Sequence, residues 1–165
     1  MTERKYLAHY IDGAFDTTYA ACAYVRLGKD LEEYAVELNP DVETKKNILG
    51  ENSVAVSGYE VSSSVDPYYY EYEEALSEKI MDIAMNRLTG DACKTSVVDV
   101  LLKPGATADA APTVVWAYRE DCYLVPQSVG GDTTGIQIPF DLHRAGNRVK
   151  GTFDISAKKF TENSL

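Results

Sequence analysis

The residues able to do chemistry are few in this 165-residue chain, and they are scattered. His9 and His143 have no companion at metal-ligand spacing, so each reads as a surface or hairpin residue. Cys22, Cys93 and Cys122 lack the Cys-x-x-Cys rhythm of zinc or redox sites, and an odd number of thiols fits a chain made in a reducing cytosol. Gly130-Gly131-Asp132-Thr133-Thr134-Gly135 has no lysine and precedes a strand-like stretch, so it reads as a turn, not a phosphate cradle. The acid pairs Glu73-Glu74 and Glu120-Asp121 read as solvated faces, because no apolar pocket is indicated that would split their pKa values. A hydrolase would have to be assembled from Asp121, His143 and a serine brought near by folding. The expectation is instead a chain that is not an enzyme and holds no cofactor and no metal.

Tyrosine is the unusual residue. Twelve tyrosines stand beside four phenylalanines and one tryptophan, and four of them crowd Tyr68-Tyr69-Tyr70-Glu71-Tyr72. Alternate rings could fasten the start of a helix to a sheet; the same rings could anchor a partner subunit, since tyrosine offers large contact area at low entropic cost. A platform for sugar or peptide is the third reading of this segment.

The acidic and basic residues number 26 and 16, giving a net charge of −10. The whole surplus lies in the first hundred residues, with 12 acids against 6 bases up to residue 66, then 7 against 3 up to residue 100. Without a basic stripe, tight nucleic-acid binding is excluded, and the surplus serves either solubility or a surface that repels phosphate. No apolar run approaches the roughly 20 residues of a membrane span. Met1-Thr2-Glu3-Arg4-Lys5 followed by His9, Tyr10 and Asp12 lacks the apolar stretch of an export signal.

These residues must be carried by one helix and many strands. Leu76, Ile80, Ile83, Ala84 and Leu88 form a single apolar stripe, with acids in the first turn and Gly90 placed as a terminator, which predicts a helix from about Glu73 to Leu88. Strands are predicted at Tyr24–Leu27, Tyr34–Leu38, Ser53–Val65, Ser96–Leu102, Thr113–Tyr118 and Cys122–Val125. The Ser96–Leu102 run, nearly all β-branched and apolar, should be buried on both faces. Lys103-Pro104-Gly105 through Ala111-Pro112 reads as a loop tip, and Ile136–His143 with Val149–Ile155 reads as a β-hairpin about Arg144-Ala145-Gly146-Asn147. The expected fold is α+β and mainly β, an antiparallel sandwich or partly closed barrel with one packed amphipathic helix. It forms a single domain over residues 1–165, with a flexible N-terminal segment to about residue 20 and a tail from about 160.

Several stretches, taken in order, resemble the tail tube (major tail) proteins of long-tailed bacteriophages and phage-like particles. They are Leu38-Asn39-Pro40-Asp41-Val42-Glu43-Thr44 with Asn47-Ile48-Leu49-Gly50, Gly58-Tyr59-Glu60 leading to Val65-Asp66-Pro67-Tyr68-Tyr69, Thr89-Gly90-Asp91 with Val97-Val98-Asp99-Val100, and Gly151-Thr152-Phe153-Asp154-Ile155 with Phe160-Thr161. The resemblance implies a virion protein without an active site, assembled in the host cytoplasm into stacked hexameric rings. Its partners would be its own copies, a tape-measure protein and tail-tip or terminator proteins, with DNA passing through unbound. It implies a lumen sheet drawn from residues 33–38 and 53–65, with Glu37, Glu60 and Glu43 as acidic lining. Asn39, Pro40, Lys45, Lys46, Tyr68, Tyr69, Tyr70 and Tyr72 are then the candidates for subunit contacts. The polar loop 39–52 and both termini would be arms that order on assembly. The competing expectation is a β-domain that binds carbohydrate or peptide through Tyr68–Tyr72.

Overall fold

The run expected to be buried on both faces, β7 (Lys94–Leu102), is the spine of the sheet. In the computed structural model, which describes residues 1–16, 22–104 and 113–163, it pairs antiparallel with β1 (Leu7–Asp12) on one side and with β8 (Val114–Pro126) on the other. Beyond β1 lies β2 (Tyr24–Leu27); beyond β8 follow β11 (Phe140–Arg144), β6 (Ser62–Val65) and the two-residue β3 (Val36–Glu37). The strands β12 (Val149–Asp154) and β13 (Lys159–Glu162) complete this sheet, which curls into a half-barrel. Two hairpins stand apart from it, β4 (Pro40–Lys46) with β5 (Asn52–Tyr59), and β9 (Gly130–Asp132) with β10 (Gly135–Gln137). The chain is therefore α+β and mainly β, as expected, with one α-helix, α1 (Ala75–Asn86), among the described residues.

Alternation along the strands sends side chains into two cores. Ile11, Val97, Cys122, Leu124, Phe140 and Leu142 pack with Leu76, Ile80 and Ile83 of α1. On the opposite face, Tyr10, Val98, Val100 and Ala117 pack against Phe153 of β12, whose ring lies 4.6 Å from that of Tyr10. Val97 and Val98 thus serve different cores, which is why β7 needs apolar residues at successive positions. The helix ends at Arg87, in the left-handed region at φ 52°, three residues before the glycine expected to terminate it.

Several expectations are corrected. Within the N-terminal segment expected to be flexible, Leu7–Asp12 is strand β1, which lies between β2 and β7 with Tyr10, Ile11 and Asp12 buried. His9 and Asp12 hide this strand from an apolar reading. Asp12 is satisfied by the amides of Ala14, Asp16 and Ala23 at 2.8–2.9 Å. The start of the tail is likewise paired, as far as Glu162, with β13 against β12. The two strands expected at 113–118 and 122–125 are one, because Arg119, Glu120 and Asp121 stay buried within β8 rather than forming a solvated break. The hairpin expected about 144–147 does not reverse the chain. Instead β11 and β12 run in the same direction along one edge of β8, pairing with residues 122–126 and 117–119 in turn. The intervening residues are fastened to β8 by Ala145 N–H to Asp121 O (2.8 Å), Gly146 N–H to Glu120 Oε2 (3.0 Å) and Asn147 Nδ2 to Asp121 Oδ2 (2.5 Å). Gly130–Asp132 is strand β9, with the turn just after it. The predicted loop tip falls, from Gly105 to Pro112, outside the described residues.

The chain reverses between β12 and β13, where Asp154 Oδ1 accepts the Ser156 and Ala157 amides. A Cβ at Gly151 would stand 2.2 Å from the Thr161 carbonyl oxygen and 2.5 Å from the Phe160 ring. Gly151→Ala must therefore push β13 off β12, and a loss of about 1–3 kcal/mol is expected in denaturant titration.

Candidate assembly surface

The segment read as a polar loop, 39–52, is half of a ribbon. β4 and β5 pair from Pro40↔Tyr59 to Lys46↔Asn52, with a bulge between Asp41 and Val42 that sets Ser57 out of register. Asn47 makes the tip: its Oδ1 accepts the amides of Leu49 and Glu51, both at 2.9 Å, and its Nδ2 donates to Glu51 Oε2 at 3.0 Å. Gly50 supplies the left-handed turn, at φ 81°. At the root, Asn39 adopts φ 43° and donates Nδ2 to Glu60 O at 3.0 Å, while Glu60 N–H returns to Asn39 O at 3.3 Å. Asn39 is thus a hinge-point hydrogen bonder, and Pro40 opens the strand without needing an amide partner. The long strand expected over 53–65 is broken at residues 60 and 61 into β5, in the ribbon, and β6, in the main sheet.

Register divides the ribbon into two faces. Val42 opposes Val56 and Thr44 opposes Val54 on one face; Glu43 opposes Ala55 and Lys45 opposes Ser53 on the other. Val42, Val54 and Val56 remain 49%, 66% and 56% exposed, and Ile48 at the tip is wholly exposed. An apolar face of this kind has nothing from its own chain to cover it among the described residues. An isolated two-stranded hairpin is marginal in water, and both of its outer edges present unpaired N–H and C=O groups. Lys45 and Lys46 alternate between the faces, and Lys45 lies 4.0 Å from Glu43 in an exposed pair of little energetic weight.

The expected lumen residues are not gathered on one sheet. Glu37 ends β3 at the edge of the main sheet, Glu43 sits on the polar face of the ribbon, and Glu60 lies at the ribbon's root; all three are exposed. The tyrosine segment is largely consumed within the chain. Tyr68 bonds Ser77 Oγ at 2.9 Å and packs edge-on to Phe140 at 5.2 Å, with burial pushing its hydroxyl up to about 12. Tyr70 donates to Glu78, and the main chain at Tyr69 forms an antiparallel bridge with Gln137. Only Tyr72 of the four is exposed.

His9 belongs to a buried charged cluster that the sequence reading missed. Its Nδ1 lies 2.6 Å from Asp99 Oδ1, and Arg144 Nη1 lies 3.0 Å from Asp99 Oδ2 and 3.9 Å from Glu120 Oε1. Arg4 Nη2 lies 3.0 Å from His9 Nε2, and Tyr34 stands edge-on to the imidazole at 4.7 Å. Arginine can only donate, so Nε2 accepts and the proton sits on Nδ1, facing Asp99. The arrangement has the carboxylate and imidazole of a hydrolytic triad, but arginine holds the place a nucleophile would need. His143 is exposed, and Asp121 is taken up by Arg119 at 3.2 Å and by Asn147. Asp99, a single acid inside an apolar run, was the available signal for this cluster. Cys93 and Cys122 are buried, Cys22 is half-buried, and all three are free. Among the described residues no group of ligand side chains is placed to hold a metal, and no helix is long and apolar enough to cross a membrane.

Compared with known proteins, the chain matches no protein-family model, and no curated protein sequence matches it.

Burial pushes the Asp99 carboxyl up, but the His9 hydrogen bond and the Arg144 charge outweigh it and hold the group below its ordinary 3.8. A depressed folded-state value means stabilisation that is complete above the ordinary value and drains away as pH falls through the lowered one. Asp99→Asn leaves Arg144 buried without its nearest counter-charge, and a loss of about 3–5 kcal/mol is expected at pH 7. The gap between variant and wild type should narrow in melts below about pH 4; a gap that stays constant there contradicts the assignment.

Proposed function

We propose that this chain is a structural protein that assembles with copies of itself, as a tail tube protein does, into stacked rings that form a conduit for DNA in a virion tail. The observation that carries this reading is the β4–β5 ribbon, whose valine face and open edges lack cover among the described residues. A heterologous contact, in which the ribbon of one copy meets a different surface of the next, builds rings or open stacks rather than closed dimers. The acidic surplus supports the conduit, since exposed carboxylates such as Glu37 and Glu60 would keep phosphates from sticking as they pass. Tape-measure and terminator proteins would be the other partners of such a tube. Binding of sugar or peptide through Tyr68–Tyr72 is less favoured, because Tyr68 and Tyr70 are engaged with α1.

Each buried valine contributes roughly 1.5–3 kcal/mol. Val54→Asp together with Val56→Asp should therefore weaken association by about two orders of magnitude or more, while leaving the far-UV spectrum and melting temperature of the monomer nearly unchanged. Sedimentation and negative-stain electron microscopy check this. Wild type is expected to form rings or tubes at concentrations where the variant stays monomeric. A wild type that never exceeds a monomer, or a variant that assembles equally well, contradicts the proposal.

A further inference from the structure

His9 is 6% exposed, and both of its ring nitrogens are engaged. The inner one, Nδ1, points its proton at Asp99 Oδ1 at 2.6 Å, while the outer one, Nε2, accepts from Arg4 Nη2 at 3.0 Å. Arg4 opens the short helical turn Arg4–Tyr6 that precedes β1, and its guanidinium also donates to Leu7 O at 2.6 Å and to Tyr34 O at 3.0 Å. It thus clasps the N-terminal turn to the segment that leads into β3 and on to the ribbon.

The charges that face the imidazole come from every element around it. β7 brings Asp99, β8 brings Glu120 and, opposite Asp99, Tyr118, and β11 brings Arg144, so two carboxylates meet one guanidinium on the inner side. Tyr34 stands edge-on to the ring and gives its hydroxyl proton to Ser63. The cleft outside Nε2 is lined by Arg26 of β2, Lys5, Lys29 and one acid, Glu32, but Arg26 is turned to Lys5 O, Lys5 to Glu3 and Lys29 to Glu71. Among the described residues, Arg4 is the cation placed on Nε2.

A ring nitrogen has one lone pair, and it accepts one hydrogen. A proton on Nε2 and the Arg4 guanidinium therefore exclude each other, because the imidazolium has no acceptor left and two cations would meet at 3.0 Å. Asp99, already bonded to Nδ1–H, is placed to hold the imidazolium once Arg4 has gone. We infer that Arg4 and His9 form a pH-operated latch: neutral His9 keeps the N-terminal turn clasped to Tyr34, and a proton taken up at Nε2 expels Arg4 and releases the turn. Histidine is the side chain whose charge changes between about pH 5 and 8, so the latch closes as pH rises through that range and opens as it falls. It operates whether or not the chain assembles. Because the two equilibria are linked, removing Arg4 eases protonation by the same factor by which protonation weakens the clasp.

The protein has two histidines, and exposed His143 serves as the internal reference. In a ring-proton NMR titration, Arg4→Met, a change at an exposed residue, is expected to raise the pH at which His9 takes up its proton by about one unit, a tenfold change, for the loss of one hydrogen bond from a charged donor. His143 should not move. Hydrogen exchange reads the other half of the latch, through the amides of Tyr6 and Leu7, which donate to Glu3 O and Arg4 O. Corrected for the intrinsic effect of pH, their protection should fall in wild type as His9 takes up its proton, and should be low at every pH in Arg4→Met. A His9 that titrates at the same pH in both proteins overturns the latch. So does protection of Tyr6 and Leu7 that stays constant across the wild-type titration, or a His9 that remains neutral until the protein unfolds.

Discussion

The structure turns on an apolar surface that no described residue of its own chain covers. A two-stranded ribbon has only two faces, and β4–β5 makes one of them from Val42, Val54 and Val56. The two cores of the main sheet are closed by a helix and by a curled strand, whereas among the described residues nothing closes over this face. The tip and root are nonetheless closely specified, by Asn47 and Gly50 at one end and by Asn39 with Glu60 at the other. A loop that served only to connect β3 to β6 would not need that definition.

The main sheet provides a packed base for the ribbon. Both faces of β7 are buried, by different cores, so the central strands have little freedom to adjust. The change from one core to the other falls where β8 carries Arg119, Glu120 and Asp121 and where β11 gives way to β12. Charges are tolerated there because each is partnered, Asp99 by His9 and Arg144, Asp121 by Arg119 and Asn147. Breaking any of these pairs would strand a buried charge, and that makes the junction a point of specificity more than of net stabilisation.

Much of this was legible in the chain. The helix stripe from Leu76 to Leu88, the two-faced burial of Val97, Val98 and Val100, and the mainly β class all follow from periodicity. What failed did so for identifiable reasons. β1 was hidden because His9 and Asp12 are polar residues held in part by groups distant in sequence, His9 by Asp99 and Asp12 by the Ala23 amide. The hairpin at 144–147 was expected because turn residues ordinarily reverse a chain, whereas Glu120 and Asp121 hold these against β8 as a bulge in one running strand. The first arm of the ribbon was read as loop because Asn39-Pro40 and Asn47 to Gly50 are turn residues, although Val42-Glu43-Thr44-Lys45 already alternates with period two; the second arm was read as strand from Ser53. Of the candidate contact residues, Asn39, Pro40, Lys45 and Lys46 lie in or at the root of the uncovered ribbon, while Tyr68 and Tyr70 turn inward.

Amide hydrogen exchange across residues 40–59, measured as protein concentration is raised, tests the central claim most directly. If a second copy completes the ribbon, its amides exchange rapidly in dilute solution and become protected as assemblies form, with the β7 amides protected throughout. Ribbon amides that exchange at the same rate at every concentration, in samples shown to contain assemblies, would contradict it.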